Sequence, residues 1–245
     1  KVEDLRSLVN ELESTKSSVV YPELEQLTNS ARPYFDSCVE ALNEYNLRKM
    51  EKAIYDVALD LGAIYVIHKF MVPFIKHVGR LWKNNKISKS QERFANAVIR
   101  NYLENYRSSF KNYNPNNPFV LVATPKGQKA ELGCLVNACL AVSTGWNPVY
   151  LGTDLSSRDI CEAAKNSSCS AVIMSILFPL NDPTVPLELE RIRNGLGGEF
   201  EIIINGKRSS IYSKTCSKIG SHQIYDLFSL PNALEDIRTD VLRKI

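Results

Sequence analysis

Three histidines (His68, His77, His222) and six cysteines (Cys38, Cys134, Cys139, Cys161, Cys169, Cys216) are the side chains of this chain best suited to hold a metal or attack a substrate. Their spacing supports neither chemistry. There is no C-x-x-C pair and no H-E-x-x-H, so the clustered lone pairs of a zinc site have no signature. No G-x-S-x-G occurs and no base is set beside a nucleophile. Cys134 and Cys139 fall in one expected helix, a poor geometry for a disulfide, and all six thiols read as reduced core residues. His68 lies near an apolar helical stripe as a core histidine, and His77 is expected to point away from that stripe. Phosphate loops fail as well. "INGKRSS" has Glu201 where the first glycine is required and Arg208 after Lys207 where Ser or Thr is required, and "NGLGGEF" lacks the last glycine of a dinucleotide fingerprint. No catalytic residue and no metal ligand is therefore assigned, and the chain reads as a non-enzyme. One stretch keeps the outline of a ligand-holding loop: "TPKGQKAELG", Thr124 to Gly133, where a strand hands over to a helix.

The 245 residues are 44% apolar, enough to bury proper cores, and the formal charge of +3 is too small to argue for nucleic acid. Arg80, Lys83, Lys86, Lys89 and Arg93 stand against Glu92 in one basic stretch, which reads as a solvated edge rather than a DNA-reading module. No apolar run approaches the roughly 18 residues that cross a bilayer, and the opening "KVEDLRSLVNELES" lacks a signal-peptide core. A cytoplasmic protein without membrane contact is expected.

These residues need elements to position them. From the N-terminus to about residue 113 the apolar spacing is helical, clearest where Ile64, Ile67, Met71, Phe74, Ile75, Val78, Leu81 and Trp82 form one stripe. Asn84-Asn85 ends that helix, and Ser88 with Gln91 forms a capping box that opens the next, whose face is Phe94, Ala95, Val98, Tyr102 and Tyr106. "KNYNPNNP", Lys111 to Pro118, is a breaker-rich boundary between a helical bundle over 1–113 and a second domain over 118–245. In the second part, β-rich runs at Phe119 to Ala123, Pro148 to Leu151, Ala171 to Ile176, Glu201 to Ile204 and Ile224 to Phe228 alternate with helix-length segments. The first of these segments ends at Gly145, and the next starts at Ser156 with Asp159 in the capping-box position. That alternation predicts a Rossmann-like (flavodoxin-like), doubly wound, five-stranded parallel sheet, which binds ligands outside the carboxyl ends of its strands.

Val78-Gly79-Arg80-Leu81-Trp82, then Glu92-Arg93, then a linker and a doubly wound domain opening with Gly127 to Gly133, resembles the cobalamin-binding effector module of light-sensing MerR-type transcription regulators, the CarH and LitR group. The resemblance spans about Ala41 to Leu242. That family carries V-G-x-x-W followed by a Glu-His pair, its tryptophan covering the upper corrin face, and a G-E-x-H-x-L-G loop whose histidine reaches cobalt from below. Here Trp82 and Glu92 match, but Arg93 replaces the upper histidine. The lower loop reads Gly127-Gln128-Lys129-Ala130-Glu131-Leu132-Gly133, with Ala130 in place of the cobalt ligand and Gln128 in place of its acidic support. "WNPVYLGTDLSSRDI", with Thr153, matches the family's strand and helix start. Ser175-Ile176-Leu177 matches its S-x-L, which touches the nucleotide tail of the cofactor, and Asn205-Gly206 keeps one glycine of a Gly-Gly pair.

The resemblance implies a sensor whose pocket has lost cobalt ligation. Alanine supplies no lone pair, and the acidic neighbour that orients and strengthens such an imidazole has gone with it. The cofactor is thus unassigned, with cobalamin admissible only without a protein histidine on the metal, and another small ligand or none as the remaining options. The implied partners are DNA, reached through a separate N-terminal helix-turn-helix domain outside this chain, and further copies of the chain. A corrinoid carrier subunit of a methyltransferase system and a ligand-free dimerisation module are the alternatives.

Overall fold

The computed structural model describes residues 29–109, 116–177, 182–206, 209–225, 227 and 229–244. Helix α1 (Arg32–Glu44) has a proline in its first turn and stops at Tyr45, whose left-handed φ of 51° lets its N–H return to the Ala41 and Leu42 carbonyls. α2 (Leu47–Leu61) is capped by Asn46, whose side chain accepts from Lys49 N at 3.0 Å. After Gly62 the chain runs through α3 (Ala63–Val66), a π-helical turn (Ile67–Met71) and α4 (Val72–Lys83). Proline 73 explains the π turn: its ring would collide with the carbonyl four residues back, and widening the ladder relieves the clash.

The extra residue re-phases the helix beyond it, centring the buried face on Phe70, Pro73, Phe74, His77 and Val78. Two expectations for this helix are not met. His77, expected to face away, is buried at 5% exposure with its ring edge-on to Phe35 at 5.1 Å. Trp82, expected on the stripe, is 48% exposed. The stop and restart hold as read. Asn85 takes φ 54°, and Ser88 and Gln91 exchange backbone-to-side-chain hydrogen bonds at 2.8 and 3.2 Å before α5 (Lys89–Ser109). The expected boundary falls largely on residues 110–115, and the opening stretch on residues 1–28; both lie outside the described residues.

Five strands follow, β1 (Phe119–Pro125), β2 (Asn147–Leu155), β3 (Cys169–Ser175), β4 (Glu201–Asn205) and β5 (His222–Ile224), interleaved with α6 (Glu131–Ser143), α7 (Ser157–Asn166), α8 (Val185–Leu196) and α9 (Ser213–Lys218), and closed by α10 (Leu230–Lys244). All pairings are parallel, in the order β2-β1-β3-β4-β5. The fold is a helical region followed by the expected doubly wound sheet. β5 starts two residues before the expected run and ends at Ile224, because its neighbour β4 ends at Asn205 and offers no further partner. One apolar core unites the helical region with the sheet face carrying α6 and α10, and a second lies under α7 and α8 on the opposite face. Packed between α5 and the sheet, α6 is buried without interruption from Cys134 to Ala141.

Candidate ligand-binding site

The order of strands reverses between β1 and β3, so their two outgoing loops diverge and leave a crevice at their carboxyl ends. The helical region roofs this crevice. The result is a cavity of about 920 Å³, at the upper end of the ~300–1,000 Å³ typical of small-molecule sites. Its floor is Lys129, Ala130, Glu131, Leu132 and Gly133 at the start of α6, with Val136, Leu177 and Leu227; its walls come from α4 (Val72, Ile75, Lys76, Gly79) and α5.

α5 turns a polar stripe towards the cavity: Glu92 and Arg93, Asn96 and Ala97, Arg100 and Asn101, then Glu104. The spacing of three and four residues puts these groups on one face. Asn96 donates to the Glu92 carboxylate, and Arg100 pairs across the interface with Glu131 in the first turn of α6. That acid also complements the positive end of the helix, which Ala130 leaves without a side-chain cap.

The expected site residues divide into two groups. Glu92, Arg93, Lys129, Ala130, Gly133 and Leu177 meet at the cavity. Trp82, Gly127, Gln128, Thr153, Ser175, Asn205 and Gly206 do not line it. Gln128 is fully buried and serves as a clasp: its Oε1 accepts from Leu177 N at 2.9 Å, and its carbonyl accepts from Thr124 Oγ1 at 2.6 Å and from Asp154 N at 3.1 Å. Gln128 thus ties β1 and β2 through its backbone carbonyl to the residue after β3 through its neutral side-chain amide, where the resemblance implied support for a metal ligand. Gly127 has φ 89°, and a Cβ there would come within 2.5 Å of Asp182 Oδ2, so backbone geometry accounts for this glycine. Ser175 and Asn205 form a closed buried triad with Asn137, whose Nδ2 donates to Ser175 Oγ at 2.6 Å and to Asn205 Oδ1 at 3.1 Å while Ser175 Oγ donates to Asn205 Oδ1 at 3.0 Å. Thr153 is half-buried on β2. Sequence reasoning missed Lys76, Asn96, Arg100, Asn101 and Glu104; the polar stripe of α5 opposite its apolar face was the available signal.

All six cysteines are buried and unbridged. Burial pushes the thiols of Cys134 and Cys139, beside the site on α6, up to about 12, far from a reactive thiolate. Among the described residues, no three His, Cys, Asp or Glu side chains converge as metal ligands, and no helix is long and apolar enough to cross a membrane.

A family model described as "B12 binding domain" matches residues 34–106, the helical region. The monomethylamine corrinoid protein of Methanosarcina barkeri is similar to this chain with a TM-score of 0.66 and 16% identity, covering 84% of this chain and 99% of its own. A cobalamin-binding protein from Desulfitobacterium hafniense DCB-2 aligns at a TM-score of 0.44 and 15% identity, over 84% of this chain and 97% of that one. The methanol:cobalamin methyltransferase complex MtaBC of Methanosarcina barkeri aligns at 0.44 and 14%, over 100% and 97%. No curated protein matches the chain. The helical region thus carries a B12-binding-domain match, and the whole has the fold of a corrinoid protein.

A corrin fits this cavity in one respect and not in another. Apolar floor and wall residues suit the faces of a macrocycle, and the amides and charges of α5 suit its carboxamide rim. The histidine-to-cobalt bond does not fit, because Ala130, at the position matching the family's lower histidine, has no donor atom.

Proposed function

We propose that the chain is a non-catalytic, carrier-type corrinoid holder, gripping the macrocycle by its faces and rim with no cobalt bond from the protein. One observation carries this: the cavity lies between the region that matches the B12 binding domain and the loops at the sheet's switch point, with Ala130 on its floor. When bound, the corrinoid supplies a cobalt centre able to carry an alkyl group. The chain's own residues hold and shield it. Val72, Ile75, Leu132, Val136 and Leu177 would pack against the ring, Asn96 and Asn101 would offer amides to its rim, and Lys76, Arg93 and Lys129 would face its polar periphery. Similarity to the monomethylamine corrinoid protein favours a carrier over the effector half of a MerR-type regulator, which would use the same cavity but act with DNA and through self-association.

Absorbance titration with hydroxocobalamin and cobinamide tests the reading, and saturable binding in the micromolar range is expected. A flat response up to roughly 1 mM refutes it. Cob(II)inamide has no base of its own, so axial nitrogen coupling in its paramagnetic resonance spectrum would have to come from the protein and would refute a holder without a protein bond to cobalt.

A further inference from the structure

We infer that the tip of the α4–α5 hairpin is the docking surface of an acidic partner protein that exchanges cargo with the cavity; this rests on the corrinoid-holder reading. On α4, Lys76, Arg80 and Lys83 recur at intervals of four and three residues and so share one face, spanning about 10 Å at the rise of an α-helix. Lys86 follows in the turn, and Lys89 and Arg93 stand one turn apart at the start of α5. Lys76 and Arg93, the two ends of this row, line the cavity. No acid occurs between Lys76 and Glu92. The acids that adjoin the tip in the chain are engaged: Glu92 is half-buried and accepts from Asn96, and Glu44 pairs with Lys49 at 3.4 Å.

An anchored aromatic stands beside these charges. Tyr45, at the end of α1, packs edge-on against Phe94 at 5.6 Å, and its hydroxyl lies 3.2 Å from Ser88 Oγ and 2.6 Å from Ser90 Oγ, at the opening of α5. Its ring is nevertheless 47% exposed, and the nearby Leu47 is 48% exposed. A fixed tyrosine and a leucine among lysines have the make-up of a protein interface, an apolar anchor with a charged rim. The charges are spread too widely for one small anion, so the surface that complements them is the acidic face of a protein. Duplex DNA would meet the same lysines with phosphates but offers no apolar group to Tyr45 and Leu47. Because the basic row ends on both cavity walls, a protein seated on the tip also reaches the rim of the cavity.

The test titrates the full chain, loaded with hydroxocobalamin, against two dye-tagged glutamate-rich helical peptides of equal charge, one with a leucine face and one without, and against duplex DNA, with anisotropy as the readout. The leucine-faced peptide is expected to bind most tightly, to weaken as salt rises, and to slow release of the loaded hydroxocobalamin. Lys83→Glu combined with Lys89→Glu should weaken both peptides at least roughly tenfold, while hydroxocobalamin affinity, which uses neither residue, stays unchanged. Tyr45→Ala should reduce affinity for the leucine-faced peptide alone; the lysine reversal keeps the test usable if Tyr45→Ala does not fold. Tighter binding of DNA than of either peptide, peptide binding that ignores salt or the lysine reversal, or docking that leaves hydroxocobalamin release unchanged overturns the inference and leaves the holder reading standing. Failure of hydroxocobalamin to bind sinks the two together.

Discussion

Along the seam between α5 and α6, the helical and sheet regions meet in direct contact: Cys139 Sγ donates to Leu103 O at 3.3 Å, Arg107 lies over the Tyr150 ring at 5.6 Å, and Leu103 and Ala138 are fully buried. On the α4 side the same two regions stand apart around the cavity, and the facing residues Ile75, Leu132 and Leu227 are only half-buried. The seam is close-packed, so it fixes how the regions sit. The cavity flank leaves apolar area uncovered, a cost that a ligand with an apolar face would remove. Stability and binding are thus separated onto two sides of one interface.

Alkaline pH should give the largest effect. Cys38, Cys134 and Cys139 hold their protons up to about 12 when folded, against an ordinary 9.0. Above pH 9 the unfolded thiols ionise while the folded ones do not. The folded state then binds more protons, and stability falls as pH rises. Urea denaturation should record a loss of about 1 kcal/mol per thiol over the first unit above 9. A thiol probe sharpens the contrast: Ala130→Cys, facing the cavity, should label quickly while Cys139 on the seam stays unlabelled.

Next comes truncation of each flank. Leu103→Ala on the seam should cost roughly 3 kcal/mol in chemical denaturation, and Ile75→Ala on the cavity wall under about 1 kcal/mol, because part of that side chain already faces open space. Similar losses at both positions would erase the distinction. Asn137→Ala, which leaves Ser175 and Asn205 short of partners, should cost about 2 kcal/mol without altering corrinoid binding. The smallest effect belongs to the Arg100–Glu131 pair that bridges the cavity's edge. A double-mutant cycle should return under about 1 kcal/mol, falling with salt, because both side chains are partly exposed.

Local chemistry was legible in the sequence. Asn85, the Ser88–Gln91 box and the Ser156–Asp159 cap each act within a few residues, and alternating periods disclosed the parallel sheet. The π turn was harder to read: Pro73 was visible, yet the apolar stripe ran straight through it, and His77 was put on the wrong face. The site was legible only in part. The loop had a legible outline and Ala130 was marked only by the family resemblance, while Gln128 reaches Leu177 across 49 positions and Asn137 reaches Asn205 across 68. Such long-range pairings give these residues structural partners, and no local pattern encodes them.

Of the chain's two tryptophans, Trp146 is sealed at 1% exposure with its Nε1–H donated to Leu234 O at 3.0 Å, whereas Trp82 stands half in water one helical turn beyond the cavity-lining Gly79. The protein therefore carries two optical reporters of different colour. A strongly absorbing guest in the cavity should dim the redder emission of Trp82, and loosening of the C-terminal helix should shift the bluer emission of Trp146, so that occupancy and unfolding can be followed in one cuvette without a label.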